Sequence, residues 1–91
     1  MPKPLHLVLT RYWYEEIRSG RKNIEYRSPT PFWRKRIWDK RDTLKTVVFH
    51  RGYTNQNLTR AIEKIDIGPC EYPDWKGQFI RIHLAEPATQ V

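Results

Sequence analysis

One cysteine, Cys70, stands in a chain of 91 residues. With no second thiol there is no internal disulfide, and with no cysteine pair the common zinc staples are missing too. A chain of this length buries only about 60–65% of the surface that its unfolded form exposes. The fold must therefore rest on one apolar core, and there is room for a single domain, residues 1–91. Hydrophobic residues make up 38% of the chain and aromatics 13%. The aromatics supply core area in large pieces and argue against disorder. We expect a core over about residues 5–84 and a loose tail after Ala85.

An unpaired cysteine fits a reducing cytoplasm. No apolar run approaches the roughly 18 residues of a membrane span. Met1-Pro2-Lys3-Pro4 lacks the apolar stretch of a signal peptide. These features predict a soluble cytoplasmic protein with no membrane partner, and we expect a monomer.

Read in order, the chain starts with a strand, Leu5 to Leu9, with Leu5, Leu7 and Leu9 on one face. Thr10 is placed to cap a helix and Gly20 to end it. Between them Trp13 and Ile17, four apart, form the packing face. Asn23 to Arg27 alternates as a strand: Ile24 and Tyr26 are expected to serve the core, while Glu25 and Arg27 share the opposite face. Those two are suited to an ion pair or to lining a cleft together. Thr30 and Pro31 mark the start of a second helix running to Trp38. Its Trp33 and Ile37 pack, and Arg34, Lys35 and Arg36 stay exposed. After a charged connector, Asp39 to Lys45, comes a β-branched strand, Thr46 to His50, and then a polar loop, Arg51 to Asn57. The next segment fits two periods. Leu58, Ala61, Ile62 and Ile65 suit a helix, while Ile65 and Ile67 suit a strand; a strand from about Arg60 to Ile67 is expected. Gly68-Pro69 ends it, Cys70 to Gly77 is a loop, and Gln78 to Leu84 is a last strand. The order is α+β, and it suits a small mixed sheet curled into a barrel with one or two short helices at its openings.

The net charge is +7 and unevenly spread. Residues 1–51 carry 13 Lys/Arg against 5 Asp/Glu, which is +8; residues 52–91 carry 4 against 5, which is −1. A one-sided basic surface attracts polyanions, nucleic acid first among them. Arg34, Lys35 and Arg36 are the densest basic run and, with Arg21, suit tracking phosphates. Tyr12, Tyr26 and Trp33 can act as platforms for unpaired bases. His50 and Arg51 end a strand, where a barrel mouth would place them near a ligand. His6, His50 and His83 show no metal-ligand spacing, so neither a metal nor another cofactor is expected.

The stretch Gly20-Arg21-Lys22-Asn23-Ile24-Glu25-Tyr26-Arg27 concentrates the chemistry. Gly20, Lys22, Glu25 and Arg27, placed after a strand and a helix, resemble the ASCH domain family of the PUA-like superfamily, with its pattern close to G-x-K-x-x-E-x-R. Thr30-Pro31-Phe32-Trp33, Lys35-Arg36, Val47-Val48-Phe49 and Arg51-Gly52-Tyr53 resemble its small bacterial and phage-type members. The resemblance covers roughly residues 5–84. It implies a PUA-like barrel with a cleft beside the first helix and RNA as the partner class. Some small members hydrolyse N4-acetylcytidine and some cleave RNA. Lys22 aligns with the catalytic lysine of the amidohydrolases, and Glu25 falls where they have a catalytic threonine.

Three functions are open at this point. The first is a binding module that holds RNA or a modified nucleoside or nucleotide in a basic cleft beside the first helix. The second is a small amidohydrolase or ribonuclease using Lys22 and Glu25. The third is a phage-type module that binds another protein.

Overall fold

Leu5, Leu7 and Leu9 are buried and His6 and Val8 exposed, so the alternation read in the first strand becomes its two faces. The computed structural model describes residues 3–86. It holds β1 (Leu5–Leu9), α1 (Arg11–Arg18), β2 (Ile24–Arg27), α2 (Pro31–Arg36), a 3₁₀ turn (Trp38–Lys40), β3 (Thr46–Arg51), β4 (Asn57–Gly68) and β5 (Phe79–Leu84). The strands form one mixed sheet in the order β1-β3-β4-β5-β2. β1 and β3 are parallel and the other pairs antiparallel. The architecture is α+β: a curled half-barrel with two short helices. No helix among the described residues is long and apolar enough to cross a membrane. Most of the tail expected after Ala85, residues 87–91, lies outside the described residues.

The curl comes from β4. Its first half pairs with β3 and its second half with β5. The register shifts between Ile62 and Lys64, which leaves Glu63 as an extra residue. A bulge of this kind bends a strand and raises its twist. It also flips the alternation. Leu58, Arg60 and Ile62 share one face before it; Ile65 and Ile67, opposite Ile82 and Ile80, share that face after it. This explains the two periods in the sequence: one strand with a bulge mimics part of a helical pattern. The strand also starts earlier than expected, because Asn57 pairs with His50.

The core joins Leu5, Leu7 and Leu9 of β1, Val47 and Phe49 of β3, and Ile80, Ile82 and Leu84 of β5. α1 covers it with the buried Tyr14 and Ile17, and Trp13, half-buried, packs against it. Ile37 and Leu44 close the other side. α2 ends at Arg36, earlier than expected. Its start is as read: Thr30 Oγ accepts from the Trp33 amide at 3.3 Å, with Pro31 in the first turn.

The faces of β2 are the reverse of the expectation. Glu25 stands opposite Ile82 and Arg27 opposite Ile80, so both lie on the core face. Tyr26, opposite Arg81, lies on the other face and is buried there under the loop between β4 and β5. Alternation fixed which residues go together, but the partner strand decided which set points inward.

Candidate functional site

β1 and β2 are the two edges of the sheet, each paired on one side only. The seam between them is crossed by one long contact, Arg27 Nη2 to the Val8 carbonyl at 3.5 Å. Beside it opens a cavity of about 750 Å³. Trp13 of α1, Trp33 of α2 and Trp75 of the β4–β5 loop contribute its aromatic walls. Lys22, Glu25, Arg27 and Lys76 contribute its charged lining.

Local sequence builds this lining. α1 stops at Gly20, whose φ of +85° is open to glycine at no steric cost. The Gly20 amide donates to the Ile17 carbonyl at 3.1 Å, and the Lys22 amide donates to the Glu16 carbonyl at 3.0 Å. The chain thus folds back on the helix end and lays the Lys22 ammonium over Trp13, 4.2 Å from the ring centroid. Lys22 Nζ then donates to Glu25 Oε1 at 2.8 Å. Arg27 Nη2 donates to Glu25 Oε2 at 2.8 Å. The Arg27 guanidinium carbon lies 4.9 Å from the Trp33 centroid.

Lys22 and Glu25 are each 3% exposed. Charges buried this deeply persist only when paired and hydrogen-bonded. Here one carboxylate is shared by two cations, so the cluster carries a net positive charge at the edge of the cavity. Aromatic faces add to the stabilisation of both cations. One buried donor, Arg27 Nε, has no hydrogen-bond partner within the protein.

The loop side is sealed by rings. Trp13 meets Tyr72 and Trp75 at centroid distances of 5.3 and 5.9 Å, and Tyr72 meets Trp75 at 5.4 Å. Tyr26 Oη accepts from the Glu71 amide at 3.4 Å. Burial pushes the Tyr26 hydroxyl above its ordinary range and, with Glu71 nearby, pushes Tyr72 up to about 12. Both phenols are therefore neutral and keep a proton to donate.

Of the residues singled out in the sequence, Lys22, Glu25, Tyr26, Arg27 and Trp33 come together around this cavity. The others do not. Tyr12 is 63% exposed and outside the cavity lining, its ring packed edge-on against Trp13 at a centroid distance of 4.8 Å. Arg21 is exposed and paired with Glu16 at 2.9 Å. Arg34 and Lys35 lie on the exposed side of α2, and Arg36 stacks on Phe32 with its guanidinium carbon 3.5 Å from the centroid. His50 bonds His6 across the outer face, Nε2 to Nδ1 at 2.9 Å. Arg51 ends β3 and lies outside the cavity lining. Two of the three tryptophans in the lining were missed. Trp13 was assigned to helix packing, and Trp75 sits in a loop whose position no local pattern reveals. Among the described residues no group of His, Cys, Asp or Glu is gathered to hold a metal ion.

No family model, no curated protein and no solved structure matches this chain. Its function is read from the geometry of the seam.

Proposed function

We propose that this chain is a small ASCH-like, PUA-like domain that holds RNA, or one modified nucleotide, in the seam cavity. The observation that carries this reading is the set of three tryptophans around the Lys22–Glu25–Arg27 cluster. The volume lies within the range of about 300–1,000 Å³ usual for small-ligand sites. Every base has a π-face, so tryptophan walls suit bases in general. The cations beside them suit a base carbonyl or a phosphate. The positive charge concentrated in residues 1–51 would draw a polyanion toward this side of the chain.

Hydrolysis is the second reading, favoured by a buried lysine beside a carboxylate in a cavity. Proton transfer through Glu25 would require it to loosen one of two charge-assisted bonds, since each oxygen already faces a cation. The arrangement therefore supports holding a ligand more than turning it over. Incubation with N4-acetylcytidine and with single-stranded RNA tests this reading, and any product that depends on Lys22 would establish it.

The binding reading is tested by titrating labelled single-stranded RNA at increasing salt. Affinity should fall linearly on logarithmic axes, because phosphate contacts release counterions. Affinity that stays flat between low and moderate salt would overturn it.

A further inference from the structure

A second cavity, about 460 Å³, lies at the start of β1. Lys3, His6, Arg36 and Lys40 line it together with Thr43, whose hydroxyl donates to the Lys40 carbonyl at 3.1 Å, and no carboxylate does. Lys3, Arg36 and Lys40 form no ion pair among the described residues. Asp39 and Asp42 are sequence neighbours of Lys40, yet neither reaches the cavity lining. Arg36 is held in place by its stack on Phe32. Concave walls of a single charge sign focus the field and raise the local concentration of the opposite ion. A hollow with three cations unpaired among the described residues is built for an anion.

The position of this hollow ties it to the seam. α2 contributes Trp33 to the first cavity and Arg36 to the second. Residues three apart on a helix are neighbours. β1 contributes His6 to the second cavity and Val8 and Leu9 to the first. At about 3.3 Å per strand residue, these linings are separated by roughly 7–10 Å. That span exceeds one base and suits a short single strand.

We propose that this second cavity is a phosphate site for a nucleic-acid strand whose base occupies the seam, an inference that rests on the binding reading above. The seam would then hold the base, and the hollow would hold backbone a short way along the same strand. Free phosphate has the same chemistry, so the test must separate the two sources.

The test compares the intact protein with a Lys3→Ala/Lys40→Ala variant. Both side chains are exposed, so the fold should survive their loss. The probes are a labelled single-stranded oligouridylate, uridine monophosphate and inorganic phosphate. We expect the variant to bind the oligouridylate about tenfold more weakly, with a salt slope lower by about 1.4. Its affinity for uridine monophosphate should not change. Unchanged oligouridylate affinity and slope in the variant would overturn the phosphate site and leave the seam reading standing. The opposite result, a weaker oligouridylate in the variant with no monophosphate binding by either protein, would keep the phosphate site and sink the seam reading. Inorganic phosphate that shifts the Thr43 and Leu44 amides, with no oligouridylate binding, would overturn the strand as the source.

Discussion

Glu25 stands opposite Ile82 in the pairing of β2 with β5, so a carboxylate occupies one place in a row of core side chains. Ile80 and Ile82 on the neighbouring strand are fully buried. A lone carboxylate there would cost several kcal/mol in lost hydration. The bonds from Lys22 and Arg27 offset that cost. The three residues therefore form one unit, in which each charge is tolerated because of the others.

Glu25→Ala should be among the most damaging single changes. It leaves Lys22 buried with no counterion, and breaking a buried pair in this way costs about 3 kcal/mol. For a domain of this size that is a fall of roughly 12–24 °C in melting midpoint. Thermal unfolding followed by circular dichroism would show it. Lys22→Met should cost less, because Arg27 still pairs with Glu25 and the methionine keeps contact with Trp13. Equal midpoints for Glu25→Ala and the unaltered protein would contradict the interdependence.

Acid should weaken the fold through Asp66. Arg81 binds its two oxygens at 2.7 and 2.9 Å, and His83 Nε2 lies 3.0 Å from Oδ1. Chiefly through the Arg81 bonds, the Asp66 carboxyl is pulled from its ordinary 3.8 down to about 2. A folded-state value below the unfolded one means that the folded protein holds the proton less tightly. The stabilisation is therefore full above pH about 5, declines as pH falls, and is gone below pH about 2. With a third of the side chain open to solvent, it amounts to about 1–2 kcal/mol. Urea unfolding from pH 6 downward measures it, and Asp66→Asn should flatten that dependence. A variant that loses stability with acid as steeply as the parent would refute the assignment.

Gly68 and Arg81 should show strong coupling. A Cβ at Gly68 would meet the Arg81 guanidinium carbon at 2.5 Å. The guanidinium cannot simply swing aside, since Asp66 and the Pro69 carbonyl hold it. Gly68→Ala should cost about 1–3 kcal/mol by overpacking. In an Arg81→Ala background the same change should cost little. A double-mutant cycle gives the coupling, expected at about 1–2 kcal/mol; strict additivity would mean that the contact is relieved elsewhere.

Trp75→Ala should weaken binding beyond its effect on folding. Trp75 is 39% exposed but packs against Trp13, Tyr26, Tyr72 and Phe79, so its loss lowers the melting midpoint as well, and affinity is compared at a temperature where both proteins are folded. Removing one stacking face costs about 1–3 kcal/mol of binding, so affinity for uridine monophosphate should fall about tenfold. Unchanged affinity would place the base elsewhere.

Several elements were legible because their signals are local. The alternation of Leu5 to Leu9, the β-branched run from Thr46, and the alternation of Ile80, Ile82 and Leu84 each became strands, the first and last with the faces read. Thr30 and Pro31 started α2, and Gly20 ended α1. The cluster of Lys22, Glu25 and Arg27 was legible as a candidate because eight consecutive residues contain all of it. β4 was harder to read, since the extra residue at Glu63 breaks the period that identifies a strand. Arg60 was missed entirely. It is buried and donates to the Ile17 and Ala85 carbonyls and to Asn23 Oδ1, partners that lie 43, 25 and 37 positions away.

The sequence by itself determined where most of the strands and helices lie, β4 excepted, and that Glu25 and Arg27 share a face. It could not say which face of β2 points inward, because alternation sorts residues into two sets without naming the buried one. Pairing with Ile80 and Ile82 made that choice. Nor could it bring Trp13, Trp33 and Trp75 to one cavity. They sit on two helices and a loop, and only the open seam between the sheet edges gathers them around Lys22, Glu25 and Arg27. Contacts between distant segments carry no local signature, so the site became a site only when the sheet curled.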